Sequence, residues 1–90
     1  HYIKDLTVGL ETLMKLRPVS YIPNGKTEEH IGLIAEEVFE IEPRLVVLDE
    51  EGLPKTIHYE ELTALLVKSI QELKQENEAL KLRVEKLEKE

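Results

Sequence analysis

Cysteine is absent from this 90-residue chain. Its absence rules out disulfides, thiol catalysis and every zinc site built on sulfur ligands. Long apolar runs are missing too. The densest, Leu62 to Val67, falls well short of the ~20 residues that span a bilayer, so no membrane partner is expected. No signal peptide is visible at His1. The four glycines, Gly9, Gly25, Gly32 and Gly52, are isolated and form no phosphate-cradling loop. Positive charge is the minority: 12 Lys and Arg against 19 Asp and Glu leave a formal net charge of −7. No basic patch interleaved with aromatics interrupts that acidity, which argues against a nucleic-acid backbone as partner. Serine occurs only at Ser20 and Ser69. Neither sits on a sharp turn or beside an evident base, so no nucleophile is expected within the chain.

Charge as such is abundant, at 34% of residues, and predicts a soluble protein. Its densest organisation is at the C-terminus. Leu66, Ile70, Leu73, Leu80, Val84 and Leu87 recur at alternating four- and three-residue steps, with Asn77 filling the one gap. With Ile70 at heptad position a, Asn77 and Val84 are also a, and Leu66, Leu73, Leu80 and Leu87 are d. A stripe with a 3.5-residue period stays wet on a lone helix and is buried when helices from several chains supercoil. The flanks set the direction. In a parallel coil a g residue faces the e residue five positions later on the neighbour, which pairs Glu76 with Lys81 and Arg83 with Glu88. Such exposed pairs are worth at most about 1 kcal/mol each and select orientation more than they stabilise. Val and Ile at a with Leu at d favour two strands, and one buried Asn at a fixes register. Leu82 falls at f and is expected to be exposed.

Upstream, the pattern predicts a small α+β head over residues 1–59, followed by one long helix over 60–90. Leu6, Leu10, Leu13 and Met14 form an apolar stripe over a short helix from Thr7 to Leu16, capped by Thr7 and stopped by Pro18. Val19–Ile22 and His30–Ile34 read as strands around a Pro23-Asn24-Gly25 turn. Ala35–Glu42 reads as a second helix, closed by Pro43. Leu45–Leu48 and Thr56–Tyr59 read as a second hairpin around Asp49-Glu50-Glu51-Gly52. Glu60 and Glu61 then sit where a helix N-terminus favours carboxylates. A head of about sixty residues buries a modest core and is marginal alone, so oligomerisation is a natural remedy.

No metal or cofactor site is expected. His30 and His58 each fall in a predicted strand, where a hydrogen-bonded polar residue is the simpler reading than a ligand. Asp49-Glu50-Glu51 lacks the alternating oxygen spacing of a calcium loop.

Several segments together resemble a known family in order and spacing: Leu16-Arg17-Pro18-Val19-Ser20-Tyr21, then His30-Ile31-Gly32-Leu33-Ile34-Ala35-Glu36-Glu37-Val38, then Pro43 and Leu45-Val46, and finally His58-Tyr59 with Leu62. They resemble the C-terminal intramolecular chaperone domain of phage endosialidases, tailspikes and tail fibres, which also occurs in myelin regulatory factor. Glu36 departs from the glutamine many members carry. The resemblance implies a homotrimer that aligns three chains while an upstream β-rich fibre segment of the same polypeptide folds. It implies release by self-cleavage at an upstream serine whose base is a lysine. Both residues of that Ser–Lys dyad align in front of His1, so this chain is expected to be catalytically silent, either a released product or a trimmed fragment. The complete precursor is expected to be an auto-cleaving serine peptidase. Lys4, the only nearby lysine, falls several positions too late for the dyad and is kept as a candidate base. The resemblance also implies action in the host cytoplasm during phage assembly, with the domain missing from the mature virion fibre. A dimeric coiled-coil tether with no chaperone role is the alternative.

Overall fold

A computed structural model describes residues 2–89 of the chain. It is an α+β arrangement of short helices, two small antiparallel hairpins and a long C-terminal helix. In chain order these are α1 (Leu10–Leu13), β1 (Val19–Tyr21), β2 (His30–Gly32), α2 (Ala35–Ile41), a 3₁₀ turn (Pro43–Leu45), β3 (Val46–Leu48), β4 (Pro54–Ile57) and α3 (Tyr59–Glu88).

The first helix is shorter than its apolar stripe predicts, and Gly9 rather than Thr7 precedes it. The residues before Gly9 run without helical structure, and Leu6 flanks a shallow cleft with Ala64 and Val67 of α3. So short a helix cannot nucleate alone, and packing on α3 decides its extent. Its end tightens through Lys15 N–H to Thr12 O (3.1 Å) and Leu16 N–H to Leu13 O (3.1 Å) ahead of Pro18.

β1 and β2 pair Val19 with Gly32, Ser20 with Ile31 and Tyr21 with His30. The turn between them closes through Lys26 N–H to Pro23 O at 3.0 Å, with Gly25 at φ 78°, as the Pro-Asn-Gly signal predicts. β2 stops two residues earlier than expected, because Ile34 becomes the residue preceding α2. The second hairpin is also shifted from its predicted limits. Leu45 closes the 3₁₀ turn, the returning strand is Pro54–Ile57, and Tyr59 already belongs to α3. Its turn is built by Asp49, whose Oδ1 accepts the N–H groups of Glu51 and Leu53 (2.9 Å each), with Gly52 at φ 84°. A bulge between Val47 and Leu48 completes the shift.

The core comprises Ala35, Val38, Leu45, Val46, Ile57 and Leu65, with Val8, Leu13, Leu16, Leu33, Phe39 and Leu62 packed around it. It lies where α2 and the second hairpin meet the first turns of α3. The first hairpin stands outside it, with Ser20, Tyr21 and Ile31 exposed. From Leu73 onward every described residue of α3 is exposed, and the molecule extends 62 Å along its longest axis.

Candidate assembly interface

The heptad positions on α3 explain what the head covers. Leu65 (position c) is 2% exposed and Ser69 (g) 1%. Leu62 (g) and Glu72 (c) are half-buried. These four recur at three- and four-residue steps, forming one face about 3.6 residues in period. Ser69 fits there because it is small and satisfied: its hydroxyl donates to Leu65 O at 2.7 Å, the back-bond open to a helical serine. Glu72 reaches across to α1, where its carboxylate accepts the Leu10 N–H at 3.3 Å. The Glu72 side chain sits where a Cβ on Gly9 would be. The opposite flank of α3 carries Ala64 and Gln71, beside Asp5 and Leu6.

The columns left open are a, d and e. The six apolar seam residues, Leu66, Ile70, Leu73, Leu80, Val84 and Leu87, are 39–67% exposed, and Asn77 is exposed among them. Glu76, Lys81, Arg83 and Glu88 flank the seam, all exposed. Within the chain, an ion pair on this helix joins Lys74 to Glu78 (2.8 Å, one turn apart). Leu82 is exposed, on the face away from the seam.

At the head end the seam runs into an open apolar groove of about 670 Å³. Tyr59, Leu62 and Leu66 form its floor, and Met14, Leu16 and Ile31 are among its walls. Tyr59 and Leu66 are both d residues, so groove and seam share one helical column. Met14 and Ile31 are strongly exposed, Ile31 to 85%. An extended β-strand residue that apolar and that bare has nothing to pack on within its own chain.

The motif residues divide between core and groove. Ala35 and Val38 are buried, and Leu16 and Leu33 pack around them. Ile34 accepts the Val38 N–H at 3.0 Å, and Pro43 opens the 3₁₀ turn. Arg17 and Glu37, twenty residues apart, form a two-pronged ion pair (Nε to Oε1 3.1 Å, Nη2 to Oε2 2.6 Å). Hydrogen bonding from Arg17, aided by its charge, holds the Glu37 carboxyl below its usual range. Gly32 lies close to Tyr59 and Tyr21: an added Cβ would contact the Tyr59 hydroxyl at 3.4 Å and the Tyr21 ring at 3.5 Å. Pro18 lines the groove, and the His30 ring lies 6.0 Å from that of Tyr21.

His30 and His58 belong to different parts of the head. His30 is in β2, while His58 precedes α3 and donates its backbone N–H to Leu45 O at 2.7 Å. Among the described residues, no three His, Asp or Glu side chains cluster as metal ligands would. Lys4 is exposed, its Nζ 5.6 Å from the Tyr2 ring centroid. A lysine base needs a serine hydroxyl within hydrogen-bond reach. The Ser69 hydroxyl is buried and already donated, and Ser20 lies on β1 opposite Ile31. The groove and the exposed Val67 beside the seam escaped the sequence reading. Val67 carried a signal, as an apolar residue in the otherwise charged e column of Glu60, Lys74, Lys81 and Glu88.

Comparison with known proteins supplies one match. The family model described as the chaperone of endosialidase matches residues 1–47, just over half of the 90 residues. No curated protein and no solved structure matches the chain.

Proposed function

The chain belongs to the chaperone-of-endosialidase family, and from that premise we propose that it is a homotrimeric intramolecular chaperone for an upstream β-rich phage fibre or tailspike. The observation that carries this reading is the pattern of cover on α3. The head occupies its c and g columns, the N-terminal segment lies on the opposite flank, and the apolar seam stays open. A helix arranged so is complete only when other helices join it.

The physical task suits such a device. Intertwined β-structure depends on contacts distant in sequence and nucleates slowly. Holding three chains in register by their ends turns a three-body encounter into a local one at high effective concentration. Self-cleavage belongs to the longer precursor, at a serine in front of this domain with a lysine as its base. The domain acts in the host cytoplasm and is then lost from the mature fibre. By itself the 90-residue chain is silent. A serine-reactive probe should leave it unlabelled, and a labelled Ser20 or Ser69 would overturn that statement.

A second reading has its own support. Ile70 and Val84 at a, leucines at d and the single Asn77 are the preferences of a two-stranded coil, which would make the chain a dimeric tether. Sedimentation equilibrium from nanomolar to micromolar concentration separates the two. A trimer mass is the expected result. A dimer mass would favour the tether and leave the family as evidence of fold.

A further inference from the structure

We propose that the apolar groove at the head end of the seam is the receptor for a second copy of this chain. Its occupant is the neighbour's Val67, with Leu6 beside it. The inference rests on the parallel-oligomer reading and specifies where the heads engage.

The pairing rule that matches Glu76 with Lys81 and Arg83 with Glu88 can be continued toward the head. Ser69 then faces the neighbour's Lys74, and Leu62 faces the neighbour's Val67. Leu62 is part of the groove floor, and Val67 is an apolar side chain left 52% exposed. The interface therefore changes chemistry along its length, from charged pairs at the coil tip to an apolar pair at the head. It changes where Met14, Leu16 and Ile31 build walls around the g column.

Cover on α3 agrees with this direction. The head stands on the c and g side, which puts the groove beside g and d. The e side carries Val67, and Leu6 adjoins it. In a parallel coil the e side of one helix meets the g side of the next, so each copy offers a ridge to one neighbour and a groove to the other. A ring closed in this way is heterologous in its contacts and satisfies every groove once. It also explains Ile31, whose exposure within one chain is the largest among the residues walling the groove.

The test is sedimentation equilibrium on the whole chain, comparing wild type with Ile70→Glu, Val67→Glu, Ile31→Glu and the Val67→Glu/Ile31→Glu double variant. Ile31 is so exposed in the single chain that its substitution leaves the head's own packing intact. Urea unfolding below the association range checks that for each variant. Val67→Glu and Ile31→Glu are each expected to weaken association by about tenfold or more, since each buries a charge in the apolar groove. The double variant should lose less than the product of the two, because both remove one contact. Dissociation by Ile70→Glu with no effect of Ile31→Glu would overturn the groove while preserving the coil. A monomeric wild type would overturn both.

Discussion

Gly9 and Glu72 show how single residues set the seating of the head on α3. Gly9 is buried, and its backbone is extended at φ −161°, a conformation any residue adopts. Its requirement is therefore steric. A Cβ there would collide with the Glu72 carboxylate, the group that accepts the Leu10 N–H. Gly9→Ala should push that carboxylate aside and lose the bond, a cost of about 0.5–1.5 kcal/mol in urea unfolding. The Glu72→Ala background should absorb most of the effect, since it removes the colliding group. A second residue-scale prediction concerns acid. The Arg44 side chain, first through hydrogen bonds and then through its N–H and charge, holds Glu42 below the usual carboxylate range. A carboxyl depressed in the folded state adds stability above its unfolded value of about 4.3. That stability is lost as pH falls through the folded value. Arg44→Ala should therefore lower the melting temperature at neutral pH, and the gap from wild type should close on acidification below about pH 4. A gap independent of pH would assign the loss to packing of the arginine stem instead.

At the level of elements, α3 serves two partners. Its first turns supply Leu65, Ser69 and Leu62 to the head, while its a and d columns stay open over the full length. The two faces are distinct because the head-facing residues fall on c and g and the seam on a and d. Asn77 sits in the seam where every neighbouring a and d residue is apolar. In a parallel trimer three such amides meet at the axis, where they can bond one another or a trapped water or ion. Asn77→Leu should raise the melting temperature while broadening the distribution of oligomers seen by sedimentation velocity, because the polar residue gives up stability for a single register. A melting temperature unchanged or lowered would place Asn77 off the seam and refute the heptad assignment.

For the whole molecule, folding and assembly are expected to be coupled. The buried core is six apolar side chains, and the first hairpin contributes none of them. A domain of this size buries too little apolar surface to be robust alone. The largest unburied apolar surfaces are the seam and the groove, both continuous on one side of α3. Covering them by association should stabilise the fold through mass action. The melting temperature should therefore rise with protein concentration, by several degrees over about a hundredfold range, given the steep dependence of small domains on each kcal/mol. Differential scanning calorimetry would read it directly. A concentration-independent transition would mean that the head folds fully as a monomer and that association adds nothing to it.

What the sequence by itself determined is what local chemistry and period encode. Pro23-Asn24-Gly25 specifies a turn because Gly25 takes φ 78° at no steric cost. Pro18 ends helical structure, and the long apolar period from Leu66 to Leu87 makes α3 a helix with one open stripe. The order of helices and hairpins followed from these signals, and so did the family, since its motif residues lie in fixed order along the chain. Tertiary structure alone decided the rest. The stripe from Leu6 to Met14 announced an apolar face without saying what would cover it, and packing on α3 cut that helix to Leu10–Leu13. The bulge at Val47/Leu48 moved the second hairpin off its predicted limits. Arg17 meets Glu37, Gly32 approaches Tyr59, and Ser69 disappears beneath the head, each through contacts between residues far apart in the chain. The groove is such a contact on a larger scale. Periodicity reports which side of an element is apolar, but only the assembly of elements leaves some of those sides uncovered, and the uncovered sides are where this chain meets its partner.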